Sequence, residues 1–413
     1  MLRRLSNRSS RVLGATLAAA LVFAGCTHTP PTRYVPITGD ALVDGKAHLE
    51  AALPKDRVLW EYRVAATAMR RGIFDEARAQ LDGALSQAAA NYGNISAQAA
   101  KSRRMFRRES DKPFIGEPYE RALAHFYRAI LYWQDGEPDN ARALLRTAQL
   151  LDSDTADKTY AGDYVLFDYL EGFVTSRLGG NGSDALARAR ANARAQGRAV
   201  PPDYDTAANV LVFAEFGRGP QKYSDGQYNE RLKFITTPSA AQSAVLEVAG
   251  RRVSLPAYDD LNFQATTRGG RVMDHILGNK AVFKGTAEGV GDVALVGATV
   301  AADNIYRYDG TYNRDAANVA IALAAVGIIS KLTASATTPE ADTRTWDNIP
   351  QYLSFAALRL EPGEYPATIT FLDASGRPVA NGRRDFTLTV AAQSESIGAR
   401  RQDTVVFLSQ LFN

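Results

Sequence analysis

The sequence predicts a multidomain α+β protein with helical hairpins in its N-terminal half. A mainly β, sandwich-like C-terminal half with one apolar helix is expected to follow. Apolar residues between positions 117 and 154 recur at three- and four-residue spacing, which places them on one face of a helix. Near the C-terminus, apolar and polar residues alternate, as they do in half-buried strands. A chain of 413 residues is long enough for two hydrophobic cores.

Residues 1–25 are typical of an export signal peptide. The apolar run Val12–Ala24 is preceded by four arginines and no acidic residue, and it is too short to cross a bilayer. The four basic residues are Arg3, Arg4, Arg8 and Arg11. Cys26, the only cysteine of the chain, lies two residues after the end of this run. The sequence therefore predicts a cleaved signal with a thiol at the cleavage point.

The tetrapeptide Phe23-Ala24-Gly25-Cys26 resembles the lipobox of bacterial lipoproteins. The resemblance implies that Cys26 becomes the first residue of the mature protein and carries fatty acyl groups such as palmitate. Since Thr27 is not the aspartate that signals inner-membrane retention in such proteins, the resemblance also implies the outer membrane, facing the periplasm. A plain secretory signal with a chance cysteine is the alternative.

The net charge argues against nucleic acid as a partner. The formal charge of +3 depends on the four signal arginines, and the rest of the chain has 44 basic and 45 acidic side chains. Because general nucleic-acid binding rests on phosphate neutralisation, a nearly neutral mature chain does not support it.

Residues 26–54 are rich in proline, threonine and glycine, and they predict a flexible tether between the lipid anchor and the body.

Residues 55–200 are expected to form helical hairpins. Within Glu117–Asp154, two antiparallel helices are predicted, joined by a turn at Gly136–Pro138. Small residues recur with steps of 12 and 7 residues in this hairpin and in an earlier one. They are Ala65, Ala77 and Ala84, and then Ala129, Ala141 and Ala148.

This pattern resembles the tetratricopeptide repeat, in which small residues lie where helices cross. A weaker third unit contains Gly172, Gly180 and Ala185. The first two hairpins are separated by an insertion, Ser86–Pro113, which the regular repeat lacks. A generic helical bundle is the alternative.

Residues 201–413 are expected to form the mainly β domain, with the boundary near Pro201. The apolar stretch Asn209–Phe216 predicts a strand, and Ser243–Val248 with Arg252–Leu255 predicts a hairpin around Ala249-Gly250-Arg251. Paired strands are predicted around Gly376 and Gly382, and a last strand at Thr404–Leu408. The apolar segment Arg314–Ala336 predicts a buried helix, or one that docks on a partner or membrane.

Motifs for catalysis, nucleotide binding and metal binding are missing from the sequence. It contains no H-E-x-x-H, Walker A or G-x-S-x-G motif and only four histidines, of which His125 lies on an apolar helix face. We therefore expect no catalytic residue, no metal site and no cofactor. The loop Gly217–Lys222 after a strand has glycines that suit either an anion cradle or an ordinary turn.

Two sets of residues are candidates for binding a partner. Aromatic side chains on the hairpin helix could line a peptide groove, although such residues also form cores between repeats. They are Tyr119, Tyr127, Tyr132 and Trp133. A basic cluster in the insertion could bind lipid phosphates or an acidic partner, or form a solvated face. Its arginines are Arg103, Arg104, Arg107 and Arg108.

Together, the lipobox, the hairpin sequences and FGRGPQK resemble a family of envelope lipoproteins with tetratricopeptide-like N-terminal halves and no assigned reaction. The resemblance implies a non-catalytic scaffold that binds other envelope proteins through its helical repeats. One alternative is an envelope enzyme that cleaves glycan or peptide with paired carboxylates. The carboxylates considered for it are Asp152, Asp154, Asp163 and Asp168. Another alternative is a regulator of a cell-wall synthase.

Overall fold

The computed structural model describes residues 34–98, 109–153, 162–267, 340–392 and 402–411. These ranges contain eight α-helices and ten β-strands, which confirms the α+β class. The chain divides into two compact units, Met1–Pro36 and Ile37–Asn413, and every element below belongs to the second unit.

The helices are α1 (Ala41–Ala51), α2 (Arg57–Arg70), α3 (Phe74–Gln98), α4 (Pro118–Gln134), α5 (Pro138–Asp152), α6 (Val165–Arg177), α7 (Ser183–Ala195) and α8 (Leu261–Thr266). The strands are β1 (Val210–Phe216), β2 (Gln221–Asp225), β3 (Arg231–Ile235), β4 (Ser243–Val248), β5 (Arg251–Pro256), β6 (Asp259–Asp260), β7 (Tyr352–Leu358), β8 (Gly363–Leu372), β9 (Pro378–Val390) and β10 (Thr404–Ser409).

Consecutive helices pack together, most extensively in the pairs α2 with α3, α4 with α5, and α6 with α7. The pair expected within residues 117–154 is confirmed. Helix α4 begins where the Glu117 amide donates to Glu120 Oε2 at 2.7 Å, and Pro118 occupies its first turn. Gly136 adopts a φ of +74° after the helix ends, a conformation that suits glycine.

Helix α1 lies inside the stretch that was expected to be a flexible tether. The Asp40 carboxylate caps it by accepting the amides of Leu42 and Val43, at 2.8 and 3.0 Å. Leu49 is buried, and α1 packs against α2. The tether prediction is therefore wrong for 41–51, because a capped helix with an apolar contact is docked on the body.

The strands form two four-stranded sheets and a two-stranded ribbon of β2 and β3. The first sheet has the order β10-β1-β7-β6, with β1 parallel to β10 and antiparallel to β7. The second sheet is antiparallel, with the order β5-β4-β8-β9. The predicted strands around residue 376 and at the C-terminus are confirmed. So is the β4–β5 hairpin, whose turn holds Ala249 and Gly250 at φ 52° and 68°.

Strand β1 separates two hydrophobic cores. Its Leu211 and Phe213 belong to a core shared with the helices, whereas Val210, Val212 and Phe216 belong to a core shared with the second sheet. This alternation follows from the two-residue period of a strand. The helices and the first sheet thus share one core, and the expected boundary near residue 201 does not separate two independent ones.

Some sequence predictions lie outside the described residues. They are the signal peptide 1–25 with Cys26 and the apolar segment 314–336. Among the helices that the structure describes, none combines the length and apolar character needed to cross a membrane.

Candidate functional site

Three of the four aromatic residues proposed to bind a partner instead pack against the β half of the same chain. Tyr119, Tyr127 and Trp133 are each at most 2% exposed. The Tyr127 ring lies 5.8 Å from that of Phe407 on β10 and 6.0 Å from that of Trp346, both edge to face. The predicted peptide groove is therefore wrong for these three residues, because the chain's own β half covers this helix face.

The fourth aromatic candidate, Tyr132, is half-buried and differs from the others. The guanidinium carbon of Arg128 lies 3.6 Å from the centre of its ring, and Arg128 Nε donates to Asp82 Oδ1 at 2.6 Å. The cation–π contact with Tyr132 therefore stabilises Arg128, which joins α4 to α3.

Glu215 on β1 is the centre of a buried polar cluster between the helices and the sheet. Its carboxylate accepts hydrogen bonds from Arg70 Nε at 2.6 Å, from Ser409 Oγ at 2.7 Å and from the Tyr127 hydroxyl. Burial raises the pKa of Tyr127, and the negative charge of Glu215 raises it further. The hydroxyl therefore remains a donor at neutral pH and links α4 to β1.

Further charged contacts join α4 and α6 to the β half. Asp403, beside β10, accepts from Trp133 Nε1 at 2.9 Å and from Arg177 Nη1 at 2.6 Å. Lys222 Nζ donates to Glu120 Oε2 at 2.5 Å, and both side chains are almost fully buried. Lys222 is consequently engaged within the protein and is not a free cation of the loop proposed as an anion cradle.

Asp259 on β6 caps helix α6 from the sheet. Its carboxylate accepts the backbone amides of Val165 at 2.7 Å and Leu166 at 3.0 Å. Burial raises the pKa of Asp259 to about 7, against the two amide hydrogen bonds that favour the ionised form. The position of α6 therefore depends on a carboxyl group that titrates near neutrality.

A cluster of charged residues lines a cleft of about 520 Å³ between α5, α6 and α7. Arg146 Nη2 donates to Glu171 Oε1 at 2.6 Å, and Arg188 Nε donates to Asp168 Oδ1 at 3.1 Å. The arginine side chains are 64% and 56% exposed, whereas the carboxylates are about 10% exposed. Two guanidinium groups therefore face solvent above two buried carboxylates.

Two side chains of this cleft, those of Asp168 and Gln149, are buried without full compensation by charge or hydrogen bonds. Burial raises the pKa of Asp168, although the neighbouring Arg188 opposes the shift. Gln149 donates through Nε2 to the Tyr164 carbonyl at 3.2 Å, but its buried Oε1 has no hydrogen-bond partner among the described residues. Buried polar atoms are normally paired, so this amide oxygen of the cleft can still accept a hydrogen bond.

Among the carboxylates considered for an enzyme, Asp168 lines the cleft. Asp152 and Asp163 are buried and are not among the residues that line it, and Asp152 accepts the Gly162 amide at 3.1 Å. Asp154 lies outside the described residues. In the ranges that the structure describes, no group of three or more residues is arranged to hold a metal ion. His125 packs with its Nδ1 2.8 Å from the Arg121 carbonyl oxygen, and burial lowers its pKa.

The remaining sequence candidates lie outside the described residues. These are Cys26, Arg103, Arg104, Arg107 and Arg108. Sequence reasoning missed Arg146, Glu171 and Arg188, which come from three separate helices. The only local signal was that Asp168 and Glu171 are three residues apart, so that both lie on one face of a helix.

No family model, curated protein or solved structure matched this chain.

Proposed function

We propose that this protein is a non-catalytic scaffold at the periplasmic face of the outer membrane, anchored by acylation of Cys26. Its packed helix pairs are tetratricopeptide-like repeats, and its two four-stranded sheets form a sandwich that supplies a second interface. Other envelope proteins bind to the helical half. The observation that carries the proposal is the charged cleft between α5, α6 and α7.

The location of the cleft explains why it is a better partner site than the aromatic helix face. That face is covered by the first sheet, whereas Arg146 and Arg188 remain more than half exposed. The guanidinium is a planar donor suited to carboxylates of a partner. Glu171 and Asp168 hold the two side chains in place, and this reduces the entropy lost on binding.

The anchor is tested by Cys26→Ser in the full chain. The variant should move from the outer-membrane fraction to the soluble periplasmic fraction, because one protein surface without acyl chains does not give stable anchoring. Lys46→Gln, a substitution of an exposed side chain on the docked helix α1, serves as the control and should remain in the membrane fraction. Sedimentation of Cys26→Ser with the outer membrane would exclude acylation as the anchor.

The partner site is tested with a photo-crosslinking residue at Ala191, which is exposed and lines the cleft. In intact cells, this probe should capture an envelope protein, and the yield should fall strongly when Arg146→Glu and Arg188→Glu are combined. Leu150, which is 71% exposed on α5 and does not line the cleft, provides the control position. Equal capture of the same protein from both positions would contradict a partner site in the cleft.

One observation favours the enzyme alternative: burial raises the pKa of Asp168, which lines the cleft. Glycoside cleavage needs a second carboxyl group, and the neighbouring Glu171 is engaged by Arg146 at 2.6 Å. Purified protein incubated with cell-wall glycan and peptide tests this reaction, with Asp168→Asn as the matched variant. Product formed by the natural chain and lost in Asp168→Asn would favour the enzyme over the scaffold.

A further inference from the structure

A second cavity, of about 860 Å³, lies beside the loop that follows β1. Its wall combines Arg218 of this loop with Arg70 at the end of α2, Ser239 before β4, and the segments near residues 348 and 410. The helical half and both sheets therefore meet at this cavity. It is separate from the charged cleft, with which it shares no residue.

The glycines of the loop are needed for close packing and not for an anion cradle. A Cβ on Gly217 would lie 2.5 Å from Ser239 Oγ, and one on Gly219 would lie 2.6 Å from Ile349 Cγ1. The amide of Gly217 donates to Gln410 Oε1 at 2.9 Å, and that of Gly219 donates to the Ile349 carbonyl at 3.0 Å. These two amides are occupied, so neither is available for a backbone cradle.

The side chains of the cavity nevertheless provide donors without acceptors. Arg70 is 7% exposed and donates through Nε to Glu215, but its buried Nη2 has no hydrogen-bond partner among the described residues. A buried guanidinium N–H without an acceptor destabilises the folded protein. Arg70 lines the cavity, so its guanidinium group borders the space that an acceptor would occupy.

The charges around the cavity also favour an anion. Arg218 is exposed and forms no ion pair or hydrogen bond with the part of the chain that the structure describes. The one carboxylate on the wall, Asp347, has its Oδ1 2.9 Å from Arg63 Nε and is therefore already neutralised. The Ser239 hydroxyl lies next to Gly217 and adds a neutral donor.

We propose that this cavity binds a phosphate group through the guanidinium groups of Arg218 and Arg70, with Ser239 as a further donor. The planar guanidinium group matches the oxygen geometry of phosphate. A free anion and the phosphate of a lipid headgroup share this chemistry. The site does not depend on the scaffold proposal, since none of its residues lines the charged cleft.

Isothermal titration of the full chain tests the site with two probes, inorganic phosphate and short-chain phosphatidylglycerol below its micelle concentration. Phosphatidylcholine of the same chain length controls for apolar binding. At least one anionic probe should bind, and Arg218→Gln should weaken its Kd at least about tenfold, since charge-assisted hydrogen bonds are the strong ones. Arg359→Gln, an exposed arginine outside the cavity, should leave the Kd unchanged.

The outcomes separate the sources of the anion. Equal binding of phosphate and phosphatidylglycerol supports a free oxyanion, and much tighter binding of phosphatidylglycerol than of both phosphate and phosphatidylcholine supports a lipid headgroup. Arg70→Lys should weaken binding as well, and its folding is checked by circular dichroism. If it unfolds, Arg218→Gln alone decides. Absence of binding, or binding that Arg218→Gln does not weaken, would overturn the proposal.

Discussion

The helix–sheet interface and the charged cleft use the same residue types in different surroundings. At the interface, Arg70 and Glu215 are 7% and 1% exposed, and Glu215 accepts two further hydrogen bonds. In the cleft, Arg146 is 64% exposed and its partner Glu171 is 10% exposed. Since water screens an exposed charge and leaves a buried one unscreened, breaking the first pair should cost more than breaking the second, whose guanidinium group stays accessible to solvent.

The largest effect is expected from Glu215→Ala. The substitution leaves Arg70 buried without its carboxylate and removes an acceptor from Tyr127 and Ser409. Removing one partner of a buried ion pair costs about 3–5 kcal/mol. Urea denaturation should show this loss in the free energy of unfolding. A loss below about 1 kcal/mol would mean that the interface cluster is no more important than a surface pair.

An intermediate effect is expected from the pH dependence of Asp259. Its pKa is raised from 3.8 to about 7 in the folded protein, so between these values the folded state retains a proton that the unfolded state releases. Stability should therefore fall as the pH rises through this window, by at most about 1.4 kcal/mol per pH unit. Asp259→Asn should flatten this part of the profile, measured by urea denaturation from pH 4.5 to 7.5.

The control for this prediction is Asp385→Asn on β9. The pKa of Asp385 is lowered, because its hydrogen bond with Thr368 outweighs the opposing effect of burial. The substitution should therefore leave the pH dependence of the free energy of unfolding between pH 4.5 and 7.5 the same as in the natural chain. If Asp259→Asn has the same profile as the natural chain, the capping carboxyl does not titrate in this range.

The smallest effect on stability is expected from Arg188→Gln in the cleft. The arginine is 56% exposed, and exposed ion pairs contribute about 0–1 kcal/mol. Thermal unfolding should shift little, although crosslinking from Ala191 should fall. A loss of stability as large as that of Glu215→Ala would show that the cleft is a structural joint instead of a binding surface.

The elements that the sequence predicted correctly are those with local causes. The β4–β5 hairpin follows from Ala249-Gly250 at positive φ between two short apolar runs. The α4–α5 pair follows from helical spacing interrupted by Gly136. Helix α1 had a local signal as well, the N-cap residue Asp40, but the Pro- and Gly-rich composition around it indicated a tether.

The polar interface was beyond sequence reasoning because its partners are distant along the chain. Arg70 and Glu215 are 145 residues apart, and Trp133 and Asp403 are 270 residues apart. The parallel pairing of β1 with β10 has the same cause. An aromatic residue on a helix has the same sequence signature whether it faces a partner or the chain's own sheet, so Tyr127 was assigned to the wrong surface.

Thiol accessibility tests the central claim, that the chain's own sheet covers the aromatic helix face. In a Cys26→Ser chain, Tyr127→Cys and Arg188→Cys each introduce a single thiol, one at a position that is 0% exposed and one in the cleft. Under native conditions, a maleimide should label the thiol at position 188 rapidly and the thiol at position 127 at least about a hundredfold more slowly, because exchange there requires opening of the core. In urea, both thiols should react at similar rates. Equal labelling of both positions in the folded protein would contradict the covered face and return that surface to partner binding.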